Sequence, residues 1–105
     1  MDAALPVELE TDPTLADRSG EEPLGERAYS KLRWRCRRGL LENDLFIEKF
    51  FARHASQLTV ADARAVYALM NLADNDLMDL FMRRKPLPDH LSTADVRRVL
   101  AWITP

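Results

Sequence analysis

The residues best able to do chemistry in this chain lie in one short run, Arg37-Arg38-Gly39-Leu40-Leu41-Glu42-Asn43-Asp44. Of the glycines Gly20, Gly25 and Gly39, only Gly39 falls between two segments with clear apolar periodicity. A glycine there can take positive φ or let a second backbone come close. The flanking arginines and Glu42 set both signs of charge on one compact corner. That composition suits docking onto a partner better than it suits bond-making. Trp34 lies one helical turn before Arg38, and an aromatic beside arginine is what protein interfaces favour at their hot spots. A purely local reading stays open beside this one. Arginines near a helix C-terminus favour its dipole, the glycine turns the chain, and Glu42 stands near the start of the next helix.

Other chemistries lack their parts. His54 and His90 are far apart, and there is no Cys-x-x-Cys or His-x-x-x-His spacing to hold a metal. No glycine-rich loop is present to cradle a phosphate. Neither a metal nor a catalytic residue is expected. The single cysteine, Cys36, excludes an internal disulfide and fits a reducing compartment. Arg35 and Arg37 on either side of it could lower the thiol pKa; the plainer reading is a small half-buried residue on a helix. Arg27, Lys31, Arg33, Arg35, Arg37 and Arg38 crowd one segment with Trp34, which resembles a phosphate-and-stacking surface. A helical period spreads these charges around the cylinder, and Glu42, Asp44 and Glu48 follow closely. A solvated face explains them equally, and no nucleic-acid partner is expected.

The elements that must position the corner can be read from the rest of the chain. Its 105 residues fit one domain, with 47% hydrophobic and 30% charged content. The net charge of −2 conceals a division. Residues 1–26 carry eight acids and one base, Arg18, for a net of −7, whereas residues 27–105 carry fourteen bases and nine acids, for a net of +5. Residues 1–26 also hold Pro6, Pro13 and Pro23 and lack apolar periodicity. They are expected to be a disordered or loosely attached arm; the alternative is an acidic strap over the basic body. No signal or transit pattern precedes the fold, and the longest uncharged apolar stretch, Ala65 to Ala73, is too short to span a bilayer. A cytoplasmic protein without direct membrane insertion is expected.

From residue 27 onward the pattern is helical, and the expected fold class is all-α, a small five-helix bundle. Tyr29, Leu32 and Cys36 predict a first helix over about Glu26–Arg37. Asn43 and Asp44 read as N-cap residues for a second, whose stripe is Phe46, Ile47, Phe50, Phe51 and His54. Thr59 to Asp62 resembles a capping box for a third. Asp74-Asn75-Asp76 reads as the cap of a short fourth helix bearing Leu77, Leu80 and Phe81, and Lys85-Pro86-Leu87-Pro88 ends it. Ser92 to Asp95 is a second capping-box candidate, opening a fifth helix with Val96, Val99, Leu100 and Ile103.

With these residues in view, the stretch Trp34 to Asp44, with Phe50-Phe51 behind it, resembles the succinate dehydrogenase flavinylation factors, bacterial SdhE proteins and their mitochondrial relatives. Their Arg-Gly-x-x-Glu hallmark is matched by Arg38, Gly39 and Glu42, and an acid two positions later by Asp44. A second family patch is matched by Asp74, Asp76 and Leu77, ahead of a Lys-Pro link at Lys85-Pro86. The likeness spans about residues 27–103. It departs where the family often has Trp, at Leu80, and glycine, at Arg84.

The resemblance implies a non-enzymatic assembly chaperone, monomeric and without a stably bound cofactor of its own. Its implied partner is the flavoprotein subunit of succinate dehydrogenase, with fumarate reductase a further client. It would promote covalent attachment of FAD to a histidine of that subunit, through a quinone-methide-like intermediate that belongs to the partner. The implied partner-binding residues are Trp34, Arg37, Arg38, Gly39, Glu42, Asp44, Asp74 and Asp76. An antitoxin-like regulator of a membrane-associated toxin is the alternative function.

Overall fold

The computed structural model describes residue 15, residues 18–37 and residues 41–104; for residues 41 and 42 it describes the backbone alone. Among the described residues five α-helices follow one another: α1 Glu26–Arg35, α2 Leu41–His54, α3 Val60–Met70, α4 Asp74–Phe81 and α5 Ala94–Ile103. Short 3₁₀ turns sit at Ala55–Gln57 and Asp89–Leu91. No strand occurs among the described residues, apart from one isolated bridge between Pro23 and Thr59. The all-α expectation holds.

The aromatic stripe of α2 is the hub. Phe50 and Phe51 are buried and their rings lie 5.2 Å apart. Phe51 meets Tyr29 of α1 edge-on at 5.6 Å, Phe46 packs on Phe81 of α4 at 5.3 Å, and His54 stacks on Trp102 of α5 at 4.7 Å. One helix therefore touches three others through rings spaced along a single face. Leu32, Leu69, Val99 and Leu77 fill the space between, with no solvent exposure. Cys36 is buried among them, as the plain reading of that thiol requires.

α3 and α5 are joined differently, through a buried carboxylate. Thr59 caps α3 by accepting from the Asp62 N–H, and Asp62 Oδ2 accepts the Thr59 N–H in return at 3.0 Å. This is the predicted capping box with the shorter acid. The second oxygen, Oδ1, accepts from Arg98 Nη2 of α5, and Arg98 also reaches Asp95 at 2.8 Å and lies over the Trp102 ring at 5.6 Å. Asp62 thereby serves a cap and an ion pair at once. α5 itself starts at a cap one residue later than expected: Thr93, not Ser92, accepts the Val96 N–H.

Other ends differ from the sequence reading in instructive ways. α1 stops at Arg35 rather than Arg37. α2 begins at Leu41, so Asn43 and Asp44 lie inside its first turn instead of capping it. The residue before α4 is Ala73, which offers no side-chain cap; Asp74 and Asp76 stand within the first turn, where their charge favours the dipole. α4 closes on Arg83 at φ 61, a left-handed conformation that a side chain resists.

The acidic segment also differs from expectation in its described part. Residues 18–25 are not loosely attached; they run over the start of α3. The N–H groups of Val60 and Ala61, orphaned at a helix N-terminus, donate to the carbonyls of Glu22 and Gly20, each at 2.9 Å. The Leu24 N–H donates to Leu58 O at 3.0 Å. Gly20 permits this approach, since a Cβ there would stand 3.2 Å from that of Ala61. Leu15 and Leu24 are buried. Arg18 donates to the carbonyls of Pro23 and Leu24, and Arg64 to those of Leu15 and Arg18. The Ser19 N–H and the Arg18 guanidinium hold the Glu22 carboxyl below its ordinary range. Whatever Glu22 adds is therefore present above about pH 4.5, its unfolded value, and is lost as pH falls through the lower folded value. Periodicity could not reveal such a segment, because main-chain groups make most of its bonds.

Replacing Asp62 with alanine should lower stability by about 2–3 kcal/mol, through loss of the cap and an uncompensated Arg98; urea denaturation followed by circular dichroism measures it. Arg83→Gly should act oppositely, adding about 1 kcal/mol by relieving the left-handed residue, and a thermal melt would register the rise.

Candidate functional site

The corner is built where the ends of α1 and α3 meet the starts of α2 and α4. α1 is closed by the Cys36 N–H, shared between the carbonyls of Leu32 and Arg33. Arg35, in its last turn, sends Nη2 across to the Met70 carbonyl at 3.1 Å and so ties the end of α1 to the end of α3. Asn43, in the first turn of α2, has no exposed surface. Its Nδ2 donates to the Asp74 carbonyl at 3.1 Å, which fixes the start of α2 against the start of α4. Its Oδ1 is buried and finds no partner among the described residues. Sequence reasoning took Asn43 for a cap. Its one visible signal was the presence of a poor helix former within the first turn, a residue whose side chain competes for backbone groups.

On the outer side, α1 and α2 frame a groove of about 550 Å³ lined by Trp34, Arg33, Arg37, Asp44, Glu48 and the edge of Phe51, among others. Trp34 is 74% exposed, the largest apolar side chain offered to solvent among the described residues. The Arg37 guanidinium lies over its ring at 5.6 Å, a contact worth about 0.5–1 kcal/mol at an exposed site. Arg33 forms the inner wall. It donates to Glu48 at 3.0 and 3.3 Å and stands over the Phe51 ring at 5.3 Å. Its pKa is raised further, first by the hydrogen bond to the Tyr29 hydroxyl and then by the charge of Glu48. Fifteen residues separate Arg33 from Glu48, so no local pattern announces the pair.

The expected site residues therefore divide. Trp34, Arg37 and Asp44 line one groove. Asp74 does not line it; its carbonyl is held by Asn43 at the start of α4. The Asp76 carboxylate is exposed and lies 4.0 Å from Nζ of Lys85, a residue beyond the end of α4. Arg38 and Gly39 fall outside the described residues, and of Glu42 only its place in α2 is described. Among the described residues no group of three or more His, Cys, Asp or Glu side chains could hold a metal, and no helix is long and apolar enough to cross a membrane. The arrangement offers a rigid edge, an exposed aromatic–cation pair and mixed charge. It is equipped for recognition.

The sequence profile of Sdh5, flavinator of succinate dehydrogenase, matches residues 30–103. The chain belongs to this family. It is 49% identical over 74 residues to the FAD assembly factor SdhE of Ralstonia nicotianae, covering 70% of this chain and 78% of that one. It is 32% identical over 73 residues to the SdhE of Haemophilus ducreyi, covering 70% of this chain and 89% of that one. With the mitochondrial succinate dehydrogenase assembly factor 2-B of Drosophila persimilis it shares 34% over 80 residues, covering 73% of this chain and half of that one. No solved structure matches it. The family span takes in all five helices except the first turn of α1, and leaves out the segment that runs over α3.

Asn43→Ala should lose about 1–2 kcal/mol, the range for a buried hydrogen bond, whereas Trp34→Ala should lose no more than its contact with Arg37, about 0.5–1 kcal/mol. Chemical denaturation of the two variants side by side tests whether the corner is anchored by the first residue and merely displayed by the second.

Proposed function

We propose that this chain is an assembly factor that binds the flavoprotein subunit of succinate dehydrogenase and promotes covalent attachment of its FAD. The observation that carries the reading is the family match over residues 30–103, which includes the whole corner. The relatives named above are called FAD assembly factors or succinate dehydrogenase assembly factors. The same reading takes the factor as non-catalytic, with the flavin and the histidine that receives it both belonging to the partner. Fumarate reductase, a related flavoprotein, is a second client under this proposal, and the factor acts as a monomer.

The geometry supports a docking role in three ways. The corner is pre-organised, because Asn43 and Arg35 lock its helix ends before any partner arrives. The Trp34–Arg37 pair is exposed and costs little to desolvate as a unit. Gly39, between α1 and α2 in the sequence, has no side chain to hold a second backbone away. Arg38 would supply charge-assisted hydrogen bonds across the interface, and Glu42 would orient Arg38 or pair with a base of the partner. A factor bound in this manner favours one orientation of the partner's mobile parts. It thereby holds the accepting histidine and the flavin in near-attack geometry.

The deciding measurement is in-gel flavin fluorescence of the dehydrogenase subunit in a strain lacking this gene. Covalent flavin should fall sharply on deletion and return with the intact gene. Gly39→Arg should fail to restore it while keeping normal helicity, and Glu42→Ala should restore it only in part. Full flavin loading in the deletion strain, or full rescue by Gly39→Arg, contradicts the proposal.

A further inference from the structure

A second groove, of about 700 Å³, opens at the other end of α4. Its floor is apolar, made by Leu80, Leu87, Leu100 and the exposed Ala101. Its rim carries Arg83, Arg84, Lys85 and Arg97, and among the described residues no carboxylate lines it. Asp79 partly answers Arg84 at 3.8 Å and Lys85 at 3.2 Å from outside, Asp76 lies 4.0 Å from Lys85, and Arg83 donates to the Thr104 hydroxyl at 3.4 Å. Arg97 Nη1 donates to the carbonyl and hydroxyl of Ser92, at 2.8 and 3.0 Å. Arg84, Lys85 and Arg97 stand at the surface. The Lys85-Pro86-Leu87 link joins α4 to the turn before α5 and forms one side of the groove.

We propose that this groove is a second docking subsite, and that its occupant is an acidic segment of the partner flavoprotein bearing at least one aliphatic or aromatic side chain. Charge complementarity selects that chemistry: four cations around an apolar floor reward carboxylates on either side of a buried side chain. The identity of the chain that carries the segment rests on the function proposed above. The placement strengthens the argument. α4 is eight residues long, about 12 Å, and its start is pinned to the corner by Asn43. The groove and the corner are thus two ends of one short rigid strut. A single contact leaves a partner free to swivel about it. Two contacts a fixed distance apart remove that freedom, which is what orienting a mobile partner demands.

The test uses the full chain and the purified, non-flavinylated flavoprotein subunit, titrated at two salt concentrations. The double variant Arg84→Glu/Arg97→Glu should bind about tenfold more weakly or worse, with a flatter salt dependence. Arg84→Gln/Arg97→Gln should lie between it and the parent, a control should the reversals disturb folding. Unchanged affinity in both variants overturns the subsite while leaving the corner intact, provided Gly39→Arg still abolishes binding. Failure of the parent chain to bind the subunit at all overturns both. A gain in affinity on charge reversal would assign the groove to acidic residues of the same chain and refute the partner segment.

Discussion

The Asp62 carboxylate is the contact on which most of this structure depends. It is almost wholly buried, and burying an ionised carboxylate is affordable only when both oxygens are satisfied. One oxygen closes the cap of α3 and the other takes the Arg98 guanidinium of α5, so that the start of one helix and the face of another are fixed by three atoms. The short segment around Thr59 then acquires a second duty. It is also where residues 18–25 lay their carbonyls on the free amides of α3. Cap, ion pair and strap converge on the same turn.

The corner inherits its rigidity from that turn at a distance. α3 is held at its N-terminus by Asp62 and the strap. At its C-terminus, the Met70 carbonyl receives Arg35 and so positions the end of α1. A few residues later the Asp74 carbonyl receives Asn43 and positions the start of α2. α3, tied at both ends, thus serves as the ruler against which the two halves of the corner are set. The aromatic stripe of α2 completes the arrangement by packing that helix on α1, α4 and α5 together. Trp34 and Arg37 contribute nothing to this framework and are left facing solvent.

Much of this was legible in the sequence, and the division follows a physical line. The five helices were readable because apolar periodicity is local, and the Thr59–Asp62 box was readable because its partners are three residues apart. α4 ended earlier than the Lys85-Pro86 link, on the left-handed Arg83, a conformation that no local residue type announces. Contacts between distant positions left no trace: Arg98 on Asp62, Arg33 on Glu48, Asn43 on Asp74. Each pairs residues that are individually ordinary. The start of α2 was misplaced because Asn43 and Asp44 are good caps by type, and the preference was overridden by the value of sending the amide across to α4. Of the candidate site, Trp34 and Arg37 were singled out by residue type and spacing, and Asp44 by the family resemblance. The groove they share with Arg33 and Glu48 came only with the packing of α1 on α2.

The strap over α3 has a consequence for how such a chain can change over time. Its bonds to α3 are made by the ribbon's own peptide groups, with Gly20, two leucines and the Arg18 guanidinium as the ribbon side chains that matter and Arg64 answering from the helix. Hydrogen bonds from the main chain do not depend on which residue supplies them. The ribbon's remaining positions can therefore change residue type and charge while the turn at Thr59 keeps its contacts.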